Sequence, residues 1–241
     1  MNIILLGYGR MGHEIEQVAV EAGHRVVLKI DKDNQDDLTS GKISGADVAI
    51  EFTGPDTAPD LIMKAISLGL PVVSGSTGWQ DRFEEVTSFC KKHHGAFLYA
   101  SNFSIGANIL FHLNSELARI MSRQNLYKVK IEEVHHVHKL DAPSGTAITL
   151  AKEIISRHPG YMEWKLDEGA SAIPDTAIPV RAIREDSVPG IHDVEWTSDI
   201  DTISLRHEAK NRKGLATGAV MAACFLAGKH GIFSMNDVLD F

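Results

Sequence analysis

The sequence predicts an α/β protein of two lobes: a doubly wound parallel-sheet domain joined to an α+β domain with an open mixed sheet. Three observations lead there. Over the first hundred residues, short β-branched runs alternate with amphipathic stretches of helical period, the pattern of βαβ units. A glycine-rich turn joins the first of those strands to the first helix. After Ser104 the rhythm changes to one long helical stretch and later to strand-like alternation without intervening helices.

In chain order, Asn2 to Leu6, Arg25 to Ile30, Val48 to Phe52, Pro71 to Ser74 and Ala96 to Ala100 read as strands. Between them Met11 to Ala22, Thr57 to Leu68 and Arg82 to His93 carry apolar residues at helical spacing, as the crossovers of a right-handed parallel sheet require. A long helix runs from Ser104 to about Ser122, followed by a strand over Tyr127 to Val134, a polar loop, and another helix from about Ser144. Ala177 to Ile183, His192 to Thr197 and Thr202 to Ala209 then predict antiparallel meander strands. The stretch Gly214 to Lys229 is rich in Ala and apolar at i, i+3 and i+4, a helix that should pack back on the first domain. The domains so defined are 1–103 with 213–241, and 104–212, with Asp167 to Asp175 as the mobile loop.

Composition narrows the function. A net charge of −8 with scattered Lys and Arg offers no basic arm for nucleic acid. The apolar runs fall short of the roughly 18 residues of a membrane span, and the N-terminus has no basic n-region, which points to a cytoplasmic protein. Cys90 and Cys224 stand far apart without metal or redox spacing and read as buried thiols.

Gly7-Tyr8-Gly9-Arg10-Met11-Gly12 follows an apolar strand and opens a helix, so its glycines serve a tight turn, close approach to a pyrophosphate, and helix-to-strand packing. Alone the pattern is weak, since a glycine turn can merely need positive φ. Asp31, ending the next strand, strengthens it, because a carboxylate there accepts hydrogen bonds from the ribose hydroxyls of NAD. Lys32 and Arg10 can offset a 2′-phosphate and admit NADP, although Lys32 reads equally well as a solvated lysine. Gly75-Ser76-Thr77-Gly78 and Ala100-Ser101-Asn102-Phe103 follow later strands and so fall on the same carboxyl edge, where small residues suit close approach to nicotinamide and its ribose.

The segment Glu132 to Ala147 packs three histidines, a lysine and carboxylates between a strand and a helix start. Ser144 is a good N-cap, and the N–H groups of Gly145, Thr146 and Ala147 then form an anion site at the positive end of the helix dipole. Lys139 adds a full charge, so a small dicarboxylate can be clamped between lysine and helix end. His135 or His136 suits a general acid; in an ideal strand they face opposite sides, so one donates while the other orients. His138 reads as a surface residue. Zinc is disfavoured, because H-H-x-H lacks the i, i+4 pairing of zinc hydrolases and Lys139 opposes a divalent cation.

With these residues in view, the chain resembles the 4-hydroxy-tetrahydrodipicolinate reductase (dihydrodipicolinate reductase) family over nearly its whole length. The resemblance rests on E-x-x-H-H-x-x-K-x-D-A-P-S-G-T-A, present as Glu132 to Ala147, with Gly9 to Gly12, Phe52-Thr53 and Pro55, Gly75 to Gly78, and Ala100 to Phe103. It implies a Rossmann-like domain completed by the C-terminal helix, a central substrate-binding and tetramerisation domain, and NADH or NADPH as cofactor, in the diaminopimelate route to lysine. It further implies His135 as proton donor or acceptor, Lys139 as the second catalytic cation, and His136, Gly145 and Thr146 on the substrate carboxylates. The reaction implied is loss of water from a hydroxylated ring, hydride transfer and protonation of the adjacent carbon. Such chemistry wants a closed, dry cleft, and the expected hinges lie near Ser104 and Arg212. The glycine loop is one residue shorter than the commonest family form.

Two other functions share part of this pattern. An aspartate- or homoserine-type dehydrogenase would share the dinucleotide half but not the His-His-x-x-Lys segment. A nucleotide-sensing regulator would need no proton donor beside an anion site.

Overall fold

The computed structural model describes residues 1–169, 172–211 and 213–241. The chain divides into two compact units, residues 1–105 with 213–241, and residues 106–212. Arg212, expected as a hinge, lies outside the described residues, as do Ala170 and Ser171 of the segment expected to be mobile.

The first unit begins with β1 (Asn2–Leu6), α1 (Arg10–Glu21), β2 (Arg25–Ile30), β3 (Val48–Glu51), α2 (Ala58–Ser67), β4 (Val72–Ser74), α3 (Phe83–Lys92) and β5 (Ala96–Tyr99). Every strand pairing in this sheet is parallel. Both faces are covered, and the alternation of β1 shows how. Ile3 and Leu5 point to a core with Ile15, Val18 and Ala19 of α1, whereas Ile4 and Leu6 point to one with Leu61, Ile62, Val86 and Cys90 of α2 and α3.

The second unit contains α4 (Ile105–Met121), β6 (Lys128–His135), α5 (Gly145–Arg157), β7 (Glu163–Leu166), β8 (Ala177–Arg184), β9 (Ile191–Thr197) and β10 (Thr202–Glu208). The strand order is β10-β9-β6-β8-β7. Here the expected meander is corrected: β8 and β9 are not neighbours but flank β6. β6 pairs with β9 antiparallel and with β8 parallel, because α5 intervenes between β6 and β8 as a crossover. β7, over a segment to which the sequence assigns no element, adds a parallel edge. Leu110, Ala118, Leu150, Ala151 and Ile154 of the two helices cover one face over Ile131, Val180, Val194 and Trp196.

The chain then returns to the first unit as α6 (Lys213–Leu226), β11 (Gly231–Phe233) and α7 (Met235–Leu239). β11 extends the parallel sheet beside β5, giving the order β11-β5-β4-β3-β1-β2. The alanines of α6 (Ala216, Ala219, Ala222, Ala223) are fully buried against the β1 and β3 face. Approach is so close that a Cβ on Gly218 would stand 1.7 Å from the Phe103 carbonyl oxygen. Cys90 is buried, as read from the sequence; Cys224 is exposed, because α6 buries positions 219, 220, 222, 223 and 226 and turns 224 outward.

Candidate functional site

Functional residues gather at strand ends in each unit. In the first, β1 leads directly into the glycine turn, and the Gly7 N–H donates to the Ile30 carbonyl at 2.8 Å, continuing the β1–β2 pairing into the loop. Gly7 has φ +97°, and a Cβ there would lie 2.2 Å from the Phe52 oxygen. Only glycine fits. A Cβ on Gly12 would come within 2.5 Å of the Gly7 oxygen, so that residue serves helix-to-loop packing. Gly7, Gly9, Asp31 and Lys32 line a cavity of about 340 Å³ with Thr53 and Pro55. Arg10, Met11, Gly75, Ser76 and Thr77 line a neighbouring one of about 420 Å³. Tyr8 turns back on the fold: its hydroxyl bonds Glu16, it accepts from Lys29 at 2.9 Å, and its ring stacks on His13.

Ala100 to Phe103 follow β5. Asn102 Oδ1 accepts from the Ser104 N–H at 2.8 Å, Ser101 is exposed, and Phe103 is a core residue whose ring lies 5.7 Å from Phe52.

The residue that organises these loops escaped the sequence reading. Glu51, fully buried at the end of β3, accepts from the Thr53 N–H (2.7 Å), Thr53 Oγ1 (2.6 Å), Ser76 Oγ (2.6 Å) and Ser74 Oγ (2.6 Å). One carboxylate thereby ties the loop after β3 to the loop after β4, and Trp79 Nε1 donates to the Ser76 carbonyl from below. Its signal was present: a lone charge closing the apolar run Val48 to Ile50.

In the second unit the centre is the end of β6. Glu133 and His135 alternate with outward residues and so share the buried face. His135 Nδ1 lies 2.9 Å from Glu133 Oε2, at an angle short of a well-aligned hydrogen bond. Glu133 Oε1 accepts from Arg184 Nη2 at 3.0 Å and from the Ser144 N–H at 3.1 Å. Burial works to raise the Glu133 carboxyl, but His135, Ser144 and Arg184 outweigh it and hold the group at about 2. Ser144 caps α5 as expected: its Oγ accepts from the Ala147 N–H at 3.2 Å, and it sits 3.0 Å from His192 Nε2. His192, on β9, is pushed down to about 3, first by burial and then by His135, so it stays neutral.

Lys139 reaches Asp141, with both carboxylate oxygens 2.8 Å from Nζ, and that lysine holds the Asp141 carboxyl below its ordinary range. The Lys139 N–H closes a turn on the His136 carbonyl at 3.0 Å. Gly145 and Thr146 form the first turn of α5, and a Cβ on Gly145 would meet open space.

The second unit thus brings His135, His136, Lys139, Gly145 and Thr146 together around one strand end and one helix start. Arg184 and His192 were missed because they lie on β8 and β9, some fifty residues away, with no local pattern to mark them. Glu133, His135 and His192 also offer donor atoms within 4.8 Å of one another, an arrangement of metal-ligating side chains that sequence spacing concealed.

Two families of known proteins match the chain and meet near residue 105, the second running through the second unit into the returning α6, β11 and α7. A family described as dihydrodipicolinate reductase, N-terminus, matches residues 1–103, and one described as dihydrodipicolinate reductase, C-terminus, matches residues 106–239. A 4-hydroxy-tetrahydrodipicolinate reductase of Christiangramia forsetii is 48% identical over 241 residues, covering 100% of this chain and 98% of the relative. Another, from Ralstonia nicotianae, is 36% identical over 93% of this chain and 85% of its own length. Among solved structures, a dipicolinate-bound dihydrodipicolinate reductase from Paenisporosarcina sp. TG-14 shares the fold, with a TM-score of 0.81 at 22% identity over 97% of each chain.

Proposed function

This chain belongs to the dihydrodipicolinate reductase family, and on that premise we propose that it reduces 4-hydroxy-tetrahydrodipicolinate to tetrahydrodipicolinate with a reduced nicotinamide, in the diaminopimelate route to lysine. The observation that carries the reading is the cluster at the end of β6, where His135 is backed by a buried carboxylate beside a lysine and a helix N-terminus. A proton donor next to an anion site is what the reaction needs and what a nucleotide sensor does not.

The residues of the first unit fit a dinucleotide. Gly7 and Gly12 leave a cradle that side chains would fill, and Asp31 stands at the mouth of the adjoining cavity. When bound, the cofactor supplies the hydride. Asp31 would accept from the adenosine ribose, and Lys32 and Arg10 would offset a 2′-phosphate, so that NADH or NADPH can serve. Tyr8 holds the glycine loop to Glu16 and Lys29. Ser76 and Thr77 line the cavity that would take the nicotinamide half, and the main chain of Ala100 to Phe103 follows β5 at the same carboxyl edge of the sheet.

In the second unit His136, Gly145 and Thr146 hold the substrate carboxylates with Lys139, and His135 gives the proton to the ring carbon. With Glu133 at Nδ1, the ring is oriented and Nε2 is its exchanging edge. No metal takes part: Arg184 already compensates the Glu133 carboxylate that a metal would need. The first unit is the dinucleotide-binding domain, and the second binds substrate and carries the contacts of a homotetramer, in a cytoplasmic enzyme. The oligomeric role rests on the family resemblance; the outer face of the second sheet carries the Lys130–Glu195 and Arg206–Asp193 pairs.

The test is loss of reduced-nicotinamide absorbance when the protein meets substrate made in situ from pyruvate and aspartate semialdehyde by the preceding synthase. Synthase-dependent oxidation is expected with both NADH and NADPH. Folded, nicotinamide-binding protein that oxidises neither would overturn the reading.

A further inference from the structure

We propose that Arg184 is a positioning residue that yokes the two catalytic groups of the second unit, His135 through Glu133 and Lys139 through the main chain of its loop. The proposal rests on the reductase reading above.

Arg184 closes β8, which pairs with β6 so that its Cα stands opposite His135. Its guanidinium spends its donors on three different segments. Nη2 donates to Glu133 Oε1 at 3.0 Å and to the Asp141 carbonyl at 2.6 Å, Nε donates to the Lys139 carbonyl at 3.3 Å, and Nη1 donates to the Ile183 carbonyl at 2.8 Å. A planar fork can serve a carboxylate and two carbonyls at once, whereas a lysine ammonium cannot reach that geometry from one point.

The consequence follows from what each contact holds. Glu133 Oε2 lies against His135 Nδ1, so a shift of the carboxylate turns the imidazole with it. Lys139 and Asp141 bind each other, and the Lys139 N–H bonds the His136 carbonyl; both contacts fold the loop upon itself. The Arg184 bonds to the carbonyls of 139 and 141 tie the middle of that loop to β8, between the Val137 N–H bond to the Asp186 carbonyl at 3.3 Å and the Ser144 N–H bond to Glu133 at 3.1 Å. His135 and Lys139 sit on different pieces of backbone, and Arg184 is the side chain bonded to both systems. Misplacing either group by an ångström costs on the order of a hundredfold in rate.

The groups facing Glu133 and His135 are Arg184 from β8, His192 from β9, Ser144 at the start of α5, and Lys139 with Asp141 from the loop. Removing the Arg184 guanidinium takes one of the two donors from Glu133 Oε1 and leaves only the Ser144 N–H on that oxygen among the described residues.

The experiment compares wild type, Arg184→Lys and Arg184→Ala in the coupled assay, with hydrogen exchange followed over residues 137–142. We expect kcat to fall about tenfold for the lysine variant and about a hundredfold for alanine. The KM for the reduced nicotinamide should stay within twofold, and exchange of the loop should quicken in both. A lysine variant with wild-type kcat and unchanged loop exchange overturns the inference, and it decides the matter even if the alanine variant does not fold. Equal losses in kcat and in cofactor affinity would mark general destabilisation and overturn it too. Failure of the wild type to turn over strikes the reductase reading instead, and loop exchange still judges the tie itself.

Discussion

Two carboxylates, Glu51 and Glu133, are each fully buried near the carboxyl end of a strand inside a sheet, yet they are satisfied in opposite ways. Glu51 is surrounded by neutral donors, three hydroxyls and one N–H. Glu133 has a guanidinium and an imidazole as well as an N–H. A buried ion must be compensated in either case. Neutral donors anchored in loops make Glu51 a clasp that shapes the cradle over the parallel sheet. In the proposed reaction the guanidinium and the imidazole make Glu133 a part of the proton handling, because its carboxylate lies against His135 Nδ1.

That contrast predicts where damage will appear. The largest effect belongs to Glu133→Gln. It strands Arg184 and frees His135, so kcat should drop by about a hundredfold or more and stability by about 3 kcal/mol, with nicotinamide affinity preserved by fluorescence titration. Glu51→Gln should do the reverse, weakening nicotinamide binding about tenfold while kcat at saturating cofactor stays near wild type, since only loop hydrogen bonds to a charged group are lost. If both variants lose kcat and keep cofactor affinity, the contrast between the two carboxylates fails.

Acid stability sharpens it further. The Glu133 carboxyl is depressed from 4.5 to about 2, so its contribution is whole above pH 4.5 and disappears as pH falls toward 2. His192, depressed from 6.5 to about 3 by burial, adds a loss of the same sign, beginning below pH 6.5. Unfolding midpoints in urea should therefore fall steadily from pH 7 to pH 3, with a shallower slope below pH 4.5 in Glu133→Gln. The smallest effect is at Glu153 on α5, which burial raises to about 7 although Asn114 donates to it at 3.2 Å. A raised carboxyl is stabilising below pH 4.5 and loses that contribution as pH rises through 7, so Glu153→Gln should gain about 1 to 2 kcal/mol at pH 8 and nothing at pH 4.

What could be read from the sequence was what is local in the chain. The glycine turn, its strand and helix, and the Ser144 cap all depend on residues within a few positions of one another, and the periodicity of β1 to β5 was written in alternation. The order of the second sheet was not legible, because whether β8 lies beside β6 or β9 depends on the α5 crossover and on short β7, four residues without a strong pattern. His135 was identified, but its environment was not. Glu133 stood two residues away, on the same face by strand period, whereas Arg184 and His192 arrive through pairing across β8 and β9, which no spacing announces. The exposure of Cys224 escaped for a related reason: α6 is apolar nearly all round, so its outward face cannot be picked from sequence.

The return of α6 to the first unit has a consequence for the protein's birth. β1 and β3 are made long before α6, and the face that α6 covers is complete about 165 residues before Ala216 to Leu226 leave the ribosome. Through that interval Ile3, Leu5, Val48 and Ile50 lack part of their cover, while residues 106–212 have every strand and helix they need. The later-made unit is free to mature first, and the earlier-made one waits with an apolar face open, the kind of surface that molecular chaperones bind.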